Sequence, residues 1–207
     1  MANQQWVSLL NPASAYASGA GTALSTAVTG IISPTTGLAN QDVAQVNPSG
    51  WPLGWYAGLL IRVTARGFIT TVSTAGTLTF LLQSRVGNAG TTYVTLATST
   101  TLTTTTSVFT GLQWKLEALI RCTGVAKTGA TVSTEGEMDI AQTTATQSIA
   151  QTPSTVLTPY KLWLPTASGE TAASVDTTQL QGINLACTQA TSTCTVQLTQ
   201  WLAEALD

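Results

Sequence analysis

The closest gathering of groups that could do chemistry in this chain is Glu135, Glu137 and Asp139, three acids at a spacing of two. In an extended strand such a spacing puts all three on one face. They could then act as a carboxylate pair of the glycoside-hydrolysing kind, or as an oxygen-only ligand set for a hard cation such as Ca²⁺. The sequence has no His, the side chain most often used for proton transfer near neutral pH. Three acids on a hydroxyl-rich strand read more simply as a solvated face. No glycine-rich phosphate loop, Gly-x-Ser-x-Gly elbow or EF-hand loop is present, and Gly19-Ala20-Gly21 is too short to stand for one. The expectation is therefore a protein without catalytic residues, metal or cofactor, and not an enzyme.

Cys122, Cys187 and Cys194 make an odd count with no Cys-x-x-Cys spacing, so free buried thiols are expected. Cys187 and Cys194 could instead face each other across a hairpin and form a disulfide. The six tryptophans are Trp6, Trp51, Trp55, Trp114, Trp163 and Trp201. Their ring faces could stack on sugars, but core and interface roles explain them more economically. Alternation assigns Trp114 to the core. Trp6, Trp51, Trp55 and Trp201 are the candidates for a subunit interface, where large amphipathic rings supply much of the binding energy.

The elements that must position these residues are strands. The chain is 43% hydrophobic and 8% charged, against about 25% charged residues in an ordinary domain. Hydroxyls and amides replace the missing charge: Thr alone makes up about a fifth of the residues, and its β-branched side chain suits a pleated, half-buried surface. Leu59, Ile61, Val63 and Ala65 alternate with Leu60, Arg62, Thr64 and Arg66, the period of a strand with one buried face. Leu78, Phe80 and Leu82 mark a second strand, and Tyr93, Val94 and Leu96 a third that runs into a Thr tract expected at an exposed edge or loop.

Leu112 to Cys122 alternates regularly, with Trp114, Leu116, Ala118, Ile120 and Cys122 inward. After the turn at 124–129, Val132, Thr134, Gly136, Met138 and Ile140 return on the core side. The two runs form a hairpin whose outer face sets the cations of one strand across from the acids of the other. Leu162 to Leu164 follows, and then a terminal hairpin. In its last strand Cys194, Val196, Leu198, Gln200 and Leu202 are expected on one face, and Thr195, Gln197, Thr199 and Trp201 on the other. Seven to nine strands with no amphipathic helix predict an all-β fold: an antiparallel two-sheet sandwich, jelly-roll-like, over residues 51–207. Residues 1–50, with Pro12, Pro34 and Pro48 and weak periodicity, predict an extended N-terminal arm that lies on its own domain or on a neighbouring subunit.

The formal net charge is −2 and the pI about 4.9, with the seven basic residues scattered along the chain. That argues against nucleic acid and against an anionic membrane surface, which both require clustered Lys and Arg. Met1 to Trp6 lacks a basic leader region, and no apolar run approaches the roughly 20 residues of a membrane span. Synthesis in the cytoplasm is expected.

Gly111-Leu112-Gln113-Trp114-Lys115-Leu116-Glu117, continuing to Arg121-Cys122-Thr123-Gly124 and on to Thr134-Glu135-Gly136, resembles the Trp-x-Leu-Glu…Thr-Gly segment of structural proteins from tailed phages of actinobacteria. Val175-Asp176-Thr177-Thr178 and the ending Trp201-Leu202-Ala203-Glu204-Ala205-Leu206-Asp207 resemble that group's terminus. The likeness covers roughly residues 56–207 and not the arm. It implies a head decoration or minor capsid protein, on the exterior of the virion capsid, often trimeric, with the major capsid protein as partner. A tail-tip or receptor-binding module that holds glycan on exposed loops is the alternative.

Overall fold

The computed structural model describes residues 7–10, 22–23, 29–31, 44–46, 48–50, 54–86, 93–104, 108, 110–128, 130–141, 160–164, 171–190 and 194–206. Among the described residues fourteen strands, all paired antiparallel, form two sheets that share one core, and there is no helix. The expected all-β, two-sheet antiparallel sandwich is what the chain forms.

The larger, eight-stranded sheet runs in the order β1 (Val7–Leu10), β14 (Thr195–Leu206), β5 (Leu60–Thr70), β9 (Leu112–Cys122), β10 (Ala130–Ile140), β11 (Tyr160–Leu164). In addition β12 (Thr171–Val175) pairs with the other half of β10, and β2 (Thr22–Ala23) with β14. The six-stranded sheet runs β3 (Thr29–Gly30), β13 (Gln181–Gln189), β6 (Gly76–Val86), β7 (Tyr93–Thr98), with β4 (Ala44–Val46) on β13 and β8 (Leu102–Thr104) on β6. The first long strands β5 and β6 thus lie beside the last, β14 and β13, one pair in each sheet. β9 and β10 are a plain hairpin inside the larger sheet.

Eight of the fourteen described strands, β5, β6, β7, β9, β10, β11, β13 and β14, fall on runs expected to be strands. The others are β1 to β4, β8 and β12, five residues or fewer each, too short to show a period. In β9 every second residue from Leu112 to Cys122 is buried. Phe80 and Trp114 meet across the sandwich with ring centroids 5.9 Å apart, so the two inner faces close on each other. Several polar groups left inside are bridged, though the indole nitrogens of Trp55, Trp114 and Trp201 are buried without an acceptor: Ser84 Oγ donates to Gln181 Oε1 at 2.7 Å, Gln181 Nε2 donates to the Asp176 carbonyl at 2.6 Å, and Ser99 Oγ accepts from the Phe80 amide at 3.0 Å. An unpaired buried group would cost about 1–3 kcal/mol.

The described parts of residues 1–50 lie on the same sandwich. β1 and β2 extend one sheet and β3 and β4 the other, while Ile31 and Val46 belong to the core cluster. The rest of the expected arm lies outside the described residues.

The last strand departs from its expected phase. Val196 and Leu198 face the core as anticipated, but from Gln200 onward the buried positions are Trp201, Ala203 and Ala205. A β-bulge between Leu198 and Gln200 inserts one unpaired residue, Thr199, and a shift of one exchanges the two faces. Thr199 Oγ1 donates to the Arg66 carbonyl at 3.0 Å, and across from the bulge stands Gly67. A Cβ on Gly67 would fall on the Gln197 carbonyl oxygen and lie 2.8 Å from Trp114 Cζ2. Only a residue without a side chain lets β5 and β14 approach there.

Candidate functional site

β5, β9, β10 and β14 each put one face into the core, so their other face collects the polar positions. In register across β5, β9 and β10 the rows read Arg62, Leu119, Glu135; then Thr64, Glu117, Glu137; then Arg66, Lys115, Asp139. Glu204 of β14 stands beside Arg62, and Arg121 stands beside Ser133. Four of the seven basic and five of the nine acidic residues of the chain lie on this one face. The charges are also sorted: β5 carries only cations, β10 only acids, and β9 both.

Arg62 is ion-paired to Glu204, and Lys115 Nζ lies 2.5 Å from Glu117 Oε1. The Lys115 ammonium, hydrogen-bonded to Glu117, holds that carboxyl below the usual glutamate range, with Arg62 and Arg66 adding to the effect. The expected pairing across the hairpin is met at Lys115 and Asp139, which stand directly opposite. It is not met one row along, where Glu117 faces Glu137, while Arg66 faces Lys115. Like charges directly across a ladder destabilise it. Neither Arg66 nor Glu135 has an ion-pair partner among the described residues.

At one end of this face an open cleft of about 430 Å³ is lined by Arg66, Phe68, Gln113, Lys115, Asp139 and Thr199. Gly67, Trp114 and Ala141 complete its lining. Glu135, Glu137 and Asp139 do share one strand face, but among the described residues no group of three or more His, Cys, Asp or Glu is placed to hold a metal ion.

The outward face of the smaller sheet has another composition. Thr77 of β6 stands beside Thr103 of β8 and Leu81 beside Thr98 of β7, with Thr79 between them and Thr95 exposed farther along β7. The charge among the described residues there is Arg85, whose guanidinium lies over the Tyr93 ring at 5.8 Å. Tyr93 is an exposed aromatic side chain.

The interface tryptophans require correction. Trp55 and Trp201 are 2% and 0% exposed and belong to the core, which leaves no ring surface for a partner. For Trp201 the reason is the phase change at Thr199; Trp55 is enclosed just before β5 begins. Trp6 and Trp51 lie outside the described residues. Trp114 is in the core, as alternation requires. The three cysteines are free and buried. Burial pushes the Cys187 thiol up to about 12 and raises that of Cys122, whose Sγ donates to the Gly124 carbonyl at 3.3 Å.

The segments that carry the phage-protein resemblance do structural work in this fold. Trp114 and Leu116 fill the core, and Thr123 is bonded to the Thr131 carbonyl through both its amide (2.9 Å) and its hydroxyl (2.8 Å). Asp176 Oδ1 accepts from the Thr178 amide and hydroxyl, which holds its carboxyl below the usual aspartate range. Thr177 ties the same turn to Ala126 of the β9–β10 loop. No helix among the described residues is long and apolar enough to cross a membrane. Compared with protein-family models, curated proteins and solved structures, the chain gives no match.

Proposed function

We propose that this chain is a virion structural protein that decorates the exterior of a tailed-phage capsid by binding the major capsid protein. The observation that carries the reading is the hydroxyl-rich outward face of the smaller sheet, from Thr77, Thr79 and Leu81 to Thr95, Thr98 and Thr103, with Tyr93 and Arg85 at its border. A surface of this kind can be buried against a lattice without stranding ions, and aromatic residues and Arg are enriched in contacts between proteins. The resemblance to actinobacterial phage proteins supports the same role and suggests a trimer. A glycan-binding tail module is the second reading, favoured by the open cleft beside Phe68 and Gln113.

Copy number separates the two. In purified virions the decoration role requires the protein to stay with heads in stoichiometric ratio to the major capsid protein, whereas a few copies leaving with tails would sink it. Binding of purified protein to heads stripped of it should fail for Thr79→Lys with Leu81→Lys and persist for changes on the opposite sheet.

A further inference from the structure

The charged face of the larger sheet is self-complementary in one orientation, and we infer that it binds a second copy of this chain about a two-fold axis running along β9. Such an axis lies parallel to the strands, exchanges the β5 and β10 positions and leaves each row at its own level. Arg62 then meets the partner subunit's Glu135, since both stand level with Leu119. Arg66 likewise meets the partner subunit's Asp139, since both stand level with Lys115. At the axis each outward β9 residue meets its own copy, Leu119 on the partner subunit's Leu119 and Lys115, Glu117 and Arg121 on theirs, so the complementarity lies in the flanking β5 and β10 stripes.

Three observations argue for this over a merely solvated face. Within one copy the sorting has no pairing benefit, since it sets Arg66 against Lys115 and Glu117 against Glu137; in the pair the cationic β5 and the acidic β10 each face their opposite. Arg66 and Glu135, the residues with no ion pair among the described residues, each gain one. The area is that of a weak, reversible pair. β5, β9 and β10 are eleven residues each. At ~3.4 Å per residue and ~4.8 Å between strands, the three strands that the axis maps onto one another cover on the order of 540 Å², below the ~800 Å² per partner of a standard interface and suited to a salt-sensitive contact. Both charge stripes point the same way from one sheet face, which suits the single self-matching patch of a two-fold dimer and not the two differently directed patches of a ring.

The inference concerns copies in solution, where it predicts a pair in place of the trimer that the family resemblance suggests, and it stands whether or not the chain decorates capsids. Sedimentation equilibrium of the full chain should give a dimer at low salt that weakens near 1 M salt, where the screening length falls to about 3 Å. Arg62→Glu with Arg66→Glu should weaken self-association at least roughly a hundredfold, and Glu135→Arg with Asp139→Arg equally. An equimolar mixture of the two variants should restore the dimer as a mixed pair, which a folding defect in either would not do. A chain that stays monomeric at low salt, a trimer, or a dimer indifferent to both reversals would overturn the inference.

Discussion

The two outward faces of the sandwich are built on the same strand geometry and the same inward alternation, yet one gathers most of the chain's charge and the other almost none. On the larger sheet Arg62, Arg66, Glu117, Glu135 and their neighbours stand in sorted stripes, while on the smaller sheet Thr77, Thr79, Thr95 and Thr103 present hydroxyls. In a chain this poor in charge the distribution sets what each surface can meet: ions of opposite order on one side, an uncharged protein surface on the other. The bulge at Thr199 adds Glu204 to the charged face beside Arg62 and turns Trp201 into the core.

The comparison breaks most completely if the bulge is crowded. Gly67→Val forces β14 away from β5 and should cost more than about 4 kcal/mol, by analogy with severe overpacking and backbone strain; urea unfolding monitored by Trp fluorescence measures it. The phase of β14 is tested next by a pair of truncations. Trp201→Ala should lose about 3–5 kcal/mol, whereas Leu202→Ala, on the charged face, should lose less than about 1.5 kcal/mol; the opposite ranking would restore the unbulged strand. On the smaller sheet, Ser84→Ala leaves Gln181 Oε1 buried without its donor and should cost about 1–3 kcal/mol in the same assay.

Two smaller effects sharpen the contrast between interior and face. Cys187 has its folded pKa raised, so its contribution is fully present below the unfolded value of about 8.5 and is lost as pH rises toward about 12. Stability should therefore decline by about 1 kcal/mol by pH 9, and Cys187→Ala should flatten that decline. Smallest of all, Arg62→Ala should change the stability of the single chain by no more than about 0.5 kcal/mol, because an exposed ion pair is well screened.

How far the sequence could be read depends on where each instruction is stored. β9 carries its own: eleven residues of unbroken alternation fix which side of each is buried, and Trp114 follows. β14 does not, because Thr199 looks like any other strand threonine, and the space for its bulge is made by Gly67 in another strand 132 positions earlier. Interface roles for Trp55 and Trp201 failed with that phase and with the closure over Trp55. The charged face was half legible. The acids of β10 and the cations of β9 could be set opposite each other, but the row at which they meet could not, so Glu117 against Glu137 was unforeseen. The edge strands β1 to β4 are two to four residues long and carry no period to detect.

By itself the sequence determined the fold class and the inward face of each regular strand, because these follow from local periodicity and residue type. Tertiary structure alone decided the strand order, the turning of Trp201 into the core and the alignment of charges into stripes. All three depend on register between strands far apart in the chain, and register is settled by packing: a missing Cβ at Gly67, an extra residue at Thr199, and two sheets that must close over one core.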